Sequence, residues 1–237
     1  MNLEKFNQFL NQLSKKSLPV IDADISMNKF IKIDLSEKNK KQFDFDISSS
    51  REWENYLHSY LNKGNFEVAF GGYLEQRNIY DRSDYFKNLN ENENEKRNIH
   101  LGIDLWCKKN TKVLAVLDGK VHSFSNNNNF GNYGPTLILK HKIDGHKFYT
   151  LYGHLSLSSL KNMKKGSKFL KGNTIGFLGD SSVNGDYSPH LHFQIIRDLE
   201  NNFGDYPGVA SKKNIEFYKN NCPDPNLLLK LNNINNK

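Results

Sequence analysis

His190-Leu191-His192-Phe193 opens a β-prone run that continues to Ile196, and it gains meaning beside His100-Leu101-Gly102-Ile103-Asp104. In an extended strand, residues two apart point the same way. His190 and His192 therefore share one face, while Leu191 and Phe193 turn to a core. Upstream, His100, Gly102 and Asp104 fall on one face, with Leu101, Ile103 and Leu105 on the other. Two sets of candidate ligands, each backed by an apolar face, are what a zinc site on a β-sheet requires.

Catalytic zinc takes three protein ligands of N, O or S type and keeps a fourth position for water. His100, Asp104 and one of the pair His190 and His192 supply such a set. Geometry adds a condition. Four fully extended residues span roughly 13 Å, too far for one imidazole and one short carboxylate to meet at a single ion. The strand must bend or bulge between His100 and Asp104, and Gly102 at the midpoint permits it. His190 and His192, roughly 7 Å apart along a strand, need no such bend. A fourth histidine with apolar neighbours is His154, in Leu151-Tyr152-Gly153-His154-Leu155. His58, His122, His141 and His146 lack that context and read as surface or hydrogen-bonded side chains.

Outward from these segments, the chain from His100 to Arg197 is persistently β-prone. Val113 to Leu117, Thr136 to Lys140, Phe148 to Leu151, Thr174 to Leu178 and His190 to Ile196 are short β-prone runs. Asp118-Gly119, Gly131 to Pro135, Asp144-Gly145, Lys171-Gly172 and Asn184-Gly185 punctuate them. This spacing predicts a mainly β fold, an antiparallel sheet, sandwich or barrel. Before it, Leu3, Phe6, Phe9, Leu10 and Leu13 mark an amphipathic helix that Pro19 would end. Ile31 to Leu35 reads as a short strand. Trp53, Tyr56, Leu57, Tyr60 and Leu61 mark a second helix, with a hydroxyl among Ser48 to Ser50 as its cap. Phe66 to Tyr73 reads as a strand ending in a Gly-Gly turn, and Asn88 to Asn98 as an exposed loop. A helix near Ile215 to Tyr218, a Pro-Asp-Pro stop at 223 to 225 and a polar, disordered tail complete the chain. Three regions follow: 1–65, an accessory α+β region; 66–200, the β-rich core; and 201–237, a C-terminal extension.

Composition narrows the setting. At 237 residues the chain is long enough for one good core with an appendage, and 37% of its residues are hydrophobic. A mean hydropathy of −0.71 suits a soluble domain, and no apolar run approaches the ~20 residues that span a bilayer. The net charge of +7 favours anionic partners, but its lysines are dispersed and no nucleic-acid-binding motif is present, so no nucleic-acid partner is expected. Cys107 and Cys222 are the two cysteines, too few for a disulfide framework and suited to a reducing compartment. The first helix is interrupted by Asn, Gln and Lys, unlike the apolar core of a signal peptide, so a cytoplasmic location is expected. Action at a cell wall would then need another export route.

Four motifs carry a family resemblance: Arg97-Asn98-Ile99-His100-Leu101-Gly102-Ile103-Asp104, Asp118-Gly119-Lys120-Val121, Tyr152-Gly153-His154-Leu155 and Pro189-His190-Leu191-His192-Phe193. In this order the chain resembles the lysostaphin/LytM-type zinc metallopeptidases over roughly residues 97–196. The resemblance implies an antiparallel β-sheet core with the metal in a groove. It implies that His100, Asp104 and His192 bind one zinc per chain, and that His154 and His190 act on the water and the transition state. Tyr152 reads as an oxyanion donor or as a core or groove-lining residue. The substrate so implied is a peptide, most naturally one of peptidoglycan or its fragments. Two rival expectations are a non-catalytic binding or regulatory module and a zinc hydrolase acting on another substrate.

Two departures from the family pattern bear on substrate. Where common members carry a small-residue loop, this chain has Ser181-Ser182-Val183-Asn184-Gly185-Asp186-Tyr187-Ser188, so Asp186 and Tyr187 add charge and bulk beside the groove. Gly204-Asp205-Tyr206-Pro207-Gly208 and Asn221-Cys222-Pro223-Asp224-Pro225-Asn226 look like a branch that also occurs within larger proteins bearing aminotransferase-like and kinase-like modules.

Overall fold

The computed structural model describes residues 1–42, 45–46, 48–86 and 92–234, and among them the chain forms twelve strands and five α-helices. The strands are β1 (Phe30–Lys32), β2 (Val68–Gly71), β3 (Arg97–His100), β4 (Ile103–Trp106), β5 (Lys112–Leu114) and β6 (Gly119–Asn127). They continue as β7 (Gly134–Ile143), β8 (His146–Gly153), β9 (Lys168–Phe169), β10 (Thr174–Phe177), β11 (His190–Ile196) and β12 (Val209–Ser211). The helices are α1 (Leu3–Gln12), α2 (Ser50–Lys63), α3 (Leu157–Leu160), α4 (Ile215–Asn221) and α5 (Asn226–Leu229).

Eight strands form the main sheet in the order β1-β2-β4-β11-β8-β7-β6-β9. Every pairing in it is antiparallel except β1 with β2. Two small antiparallel sheets, β5 with β10 and β3 with β12, flank it. The fold is mainly β, as the turn spacing predicts. Alternation decides what each face buries. Ile103 and Leu105 of β4, Leu191, Phe193 and Ile195 of β11, and Leu137 and Leu139 of β7 enter one apolar cluster with Phe6 and Leu10 of α1. Ile138, Leu151 and Ile196 belong to a second cluster, with Leu199, Tyr206 and Cys222. The central strands are thus covered on both faces, which explains the near-continuous burial of β7, β8 and β11.

The helix termini follow local chemistry. The Asn2 side chain accepts from the Lys5 amide at 2.9 Å and caps α1, and the Ser49 hydroxyl accepts from the Glu52 amide to cap α2. The first helix stops at Gln12, well before Pro19. There Ser14 Oγ donates to the Lys16 carbonyl and accepts the Lys16 amide, a local turn that competes with helix. The exposed loop expected over 88–98 is shorter than its composition suggests, because β3 begins at Arg97 and Asn98 is buried. Part of that segment, residues 88–91, and the tail at 235–237 lie outside the described residues. Cys107 and Cys222 are both buried and unpaired.

Candidate active site

The main sheet's register brings the two sequence segments face to face. His192 of β11 stands opposite Asp104 of β4, and His190 stands opposite Trp106, so all four point from the same face. The strand carrying His100 breaks at Leu101 and Gly102: β3 pairs with β12, whereas β4 resumes in the main sheet. This is the bend that the spacing of His100 and Asp104 demands. Gly102 has a second reason to be glycine. A Cβ there would lie 2.7 Å from the His192 ring and from the Phe193 carbonyl oxygen.

His100, Asp104 and His192 converge so that one ligand atom from each lies within 4.8 Å of the others. All three are 2% exposed. Asp104 Oδ1 is 3.2 Å from both His100 Nε2 and His192 Nδ1. The remaining ring nitrogens are tied from behind. His100 Nδ1 donates to the Gly72 carbonyl at 2.9 Å, which leaves the Nε2 lone pair facing inward. Gln194 Nε2 donates to the Pro207 carbonyl at 3.1 Å, so its amide oxygen accepts from His192 Nε2 at 2.9 Å. His192 therefore presents the lone pair of Nδ1. Two such lone pairs 2.8 Å apart beside a carboxylate form a donor set that a shared cation satisfies. The N, N, O chemistry and the tied far nitrogens fit zinc.

Asp104 Oδ2 is held by Arg77 Nη1 at 2.6 Å, and Arg77 is also paired with Glu75. Burial alone would raise the Asp104 carboxyl, but His100, Arg77 and His190 together hold it well below the usual carboxylate range. Burial lowers His100 to about 4, only partly offset by Asp104. His154 and His190 complete the cluster, their ring centroids 4.1 Å apart. Burial pushes both below the ordinary histidine value, so both are neutral near pH 7. His190 Nδ1 donates to the Ser188 carbonyl and His154 Nδ1 to the Asn184 carbonyl, so the Nε2 lone pair of each ring is free. His190 Nε2 lies 3.9 Å from Asp104 Oδ1. His154 sits at a positive φ of 62°, a strained conformation for a residue with a side chain.

The structure thus gathers all five sequence-predicted site residues. Tyr152 does not join them. Its ring packs against Phe193 in the core, and its hydroxyl accepts from the Val116 amide. His141 bridges the Asp118 carbonyl and the Thr150 hydroxyl away from the site. Sequence reasoning missed Gln194, Arg77, Tyr133 and Gly72. Gln194 was within reach, since the alternation His190, His192 continues to it. Tyr133, whose hydroxyl lies 3.3 Å from His192 Nε2, and Arg77 come from segments without periodic signal. Of the loop residues, Tyr187 lines the site, whereas the Asp186 carboxylate turns away to accept from the Ser50 hydroxyl.

Residues 98–203 match the family model for peptidase family M23. A comparison with curated proteins gave no match. Among solved structures the chain is similar to the catalytic domain of lysostaphin from Staphylococcus simulans, at 24% identity over 73% of this chain and 98% of that one, with a TM-score of 0.37. It is similar to a candidate peptidase M23 from Pseudomonas aeruginosa at 21% identity, over 55% of this chain and 43% of that one, with a TM-score of 0.36. A zinc-containing peptidase from Vibrio cholerae is 26% identical over 46% of this chain and 31% of its own, with a TM-score of 0.34. This chain thus covers less than half the length of the Pseudomonas and Vibrio chains.

Proposed function

We propose that this chain, whose residues 98–203 match the family model for peptidase family M23, is a zinc metallopeptidase that hydrolyses peptide bonds in peptidoglycan-derived peptides. The observation that carries the reading is the convergence of His100, Asp104 and His192 within 4.8 Å, each imidazole with its far nitrogen already committed. Those three residues would hold the ion. A bound zinc would supply Lewis acidity, polarising a carbonyl and lowering the pKa of water towards ~7.

The rest of the chemistry falls to the chain's own side chains. His154 and His190 are neutral and offer Nε2 lone pairs, so either ring accepts a proton from water. Once protonated, the same nitrogen donates to the oxyanion that develops on the carbonyl, or delivers the proton to the leaving amine. The Ser188 and Asn184 carbonyls lock each ring in the orientation that this exchange needs. A binding module that had lost its chemistry would have no need for all five groups, and their joint presence favours catalysis.

The test is elemental analysis of the purified chain, followed by incubation of the zinc-loaded protein with peptidoglycan, soluble muropeptides and short peptides. Mass spectrometry then identifies new amine termini. His192→Ala is expected to lose the metal. His154→Ala and His190→Ala are expected to keep about one zinc per chain while losing hydrolysis. Stoichiometric zinc without cleavage of any peptide would favour a binding role for the groove.

A further inference from the structure

After β2, residues 72–86 cross the face on which the five site residues stand, and they are fastened on both sides. On the near side, the Arg77 amide donates to the Asn98 carbonyl at 2.9 Å and its guanidinium holds Asp104. On the far side, the Ser83 hydroxyl donates to the Phe130 carbonyl at 2.7 Å. Arg82 donates to the Asp186 carbonyl and lies over the rings of Phe130 and Tyr187, at 4.9 and 4.7 Å. Between these anchors Tyr80 and Phe86 pack edge to face with centroids 5.0 Å apart, and both are buried. A second tie comes from the start of α2, where the Ser50 hydroxyl donates to Asp186 at 2.6 Å.

This strap roofs part of the groove and leaves a half-open chamber of about 220 Å³. Its walls include Trp53, Tyr80, Tyr85, Phe86, Tyr133 and Tyr187 as well as the five site residues, of which none is more than 5% exposed. A cavity of ~150 Å³ accommodates benzene, so this one has room for a ligand on the order of ten non-hydrogen atoms, the size of a small dipeptide. A long peptide strand needs a trough open at both ends.

The charged lining adds a preference. Arg77, Arg82 and Arg97 line the chamber with Glu37 and Asp104. Arg77 is committed to Glu75 and Asp104, and Arg82 to Asp186 and two backbone carbonyls. Arg97 forms no ion pair among the described residues. Its guanidinium lies over the Tyr85 and Phe86 rings at 5.7 and 5.4 Å and interacts with the Tyr85 hydroxyl and the Asp205 carboxylate, and its remaining donors are open to a ligand. Arg97 is three residues before His100 on β3, roughly 10 Å along the strand.

We propose that the chamber selects short soluble peptides with a free terminal carboxylate, which Arg97 binds, and excludes long or cross-linked chains. The inference rests on the peptidase reading for the word peptide, but its size and charge demands are independent of turnover. They are measured by calorimetry on the full chain with the metal chelated, using dialanine, glycylalanine, their C-terminal amides and an alanine-rich decapeptide. The two short acids are expected to bind about tenfold more tightly than their amides and than the decapeptide, the scale of one charge-assisted contact. Arg97→Gln should bring acid and amide together, while Arg97→Lys keeps most of the difference, with thermal melts confirming that both variants fold. Equal binding of acid and amide, decapeptide binding as tight as that of the dipeptide, or no binding of any short acid overturns the proposal. If the short acids bind as expected and the zinc-loaded chain hydrolyses none of them, the peptidase reading fails and the chamber's selectivity stands. Rapid cleavage of intact peptidoglycan would do the reverse.

Discussion

At the scale of single residues, the proposed ligand set is oriented by groups that lie behind it. His192 can offer Nδ1 because Gln194 accepts from Nε2, and Gln194 is in turn oriented by the Pro207 carbonyl. Removing that acceptor leaves the imidazole free to change tautomer and to rotate. Gln194→Leu is therefore expected to weaken zinc binding about 10- to 100-fold with the fold retained. Competition against a chromophoric chelator reads the affinity, and an unchanged value would show that the His192 tautomer is set by something else. The proposed ligands were legible in the sequence: alternation points to His100, Asp104 and one of His190 and His192, and the resemblance selects His192. Their supports were legible only where they share the strand. Gln194 continues the His190, His192 face, whereas Gly72 and Arg77 reach the site from a segment whose sequence has no period to read. That contact joins residues 27 apart in sequence and is a property of the assembled fold.

At the scale of elements, the break between β3 and β4 and the ladder between β7 and β8 carry separate predictions. Gly102 lies so close to the His192 ring and the Phe193 carbonyl that a methyl group must move one of them. Because Phe193 is fixed in the core, the ring is the part that yields. Gly102→Ala should lower zinc affinity while leaving the far-ultraviolet dichroism of the sheet unchanged, and unaltered affinity would mean that the backbone itself gives way. Spacing alone foretold the bend but not the close approach, which depends on the neighbouring strand. On β7, His141 is buried against Phe148 and bonded to Thr150 of β8. Burial lowers its pKa to about 4, with the Asp118 carbonyl pulling weakly the other way. The unfolded chain, with a histidine near 6.5, binds more protons between those values, so stability is present above pH 6.5 and is lost as pH falls towards 4. From pH 7 to pH 5 this residue alone should account for about 2 kcal/mol of lost stability. Urea unfolding at both pH values, for the wild type and for His141→Gln, isolates it. An equal acid loss in the variant would exclude His141 as a source. The sequence marked this histidine only as lacking a ligand context, since its partners on β8 and at Asp118 become neighbours when the hairpin closes.

At the scale of the whole molecule, the question is how residues 1–65 relate to the β-rich core, which composition alone divides at residue 65. The contacts run across that division. Phe6 is 3% exposed and packs edge-on against Phe148 of β8 with centroids 5.8 Å apart, and the Arg197 guanidinium lies 5.2 Å above its ring. Leu10 and Leu18 enter the same apolar cluster as Phe193, and β1 adds a strand to the sheet that carries the site. The start of α2 also fastens the far wall of the chamber through Ser50 and Asp186. A segment so placed is expected to fold with the sheet in one transition. Phe6→Ala removes a ring from the shared cluster, leaves a cavity, and should cost about 3–5 kcal/mol. The decisive measurement is where that cost is felt. Hydrogen exchange of β8 and β11 amides and urea unfolding followed by tryptophan fluorescence should both shift by the full amount, because the core strands open only when the molecule unfolds globally. If exchange in β11 keeps its wild-type protection while the fluorescence transition moves, residues 1–65 unfold as a separate unit. The Ser50 tie to the far wall of the chamber would then be an attachment that the sheet carrying the site can shed without unfolding.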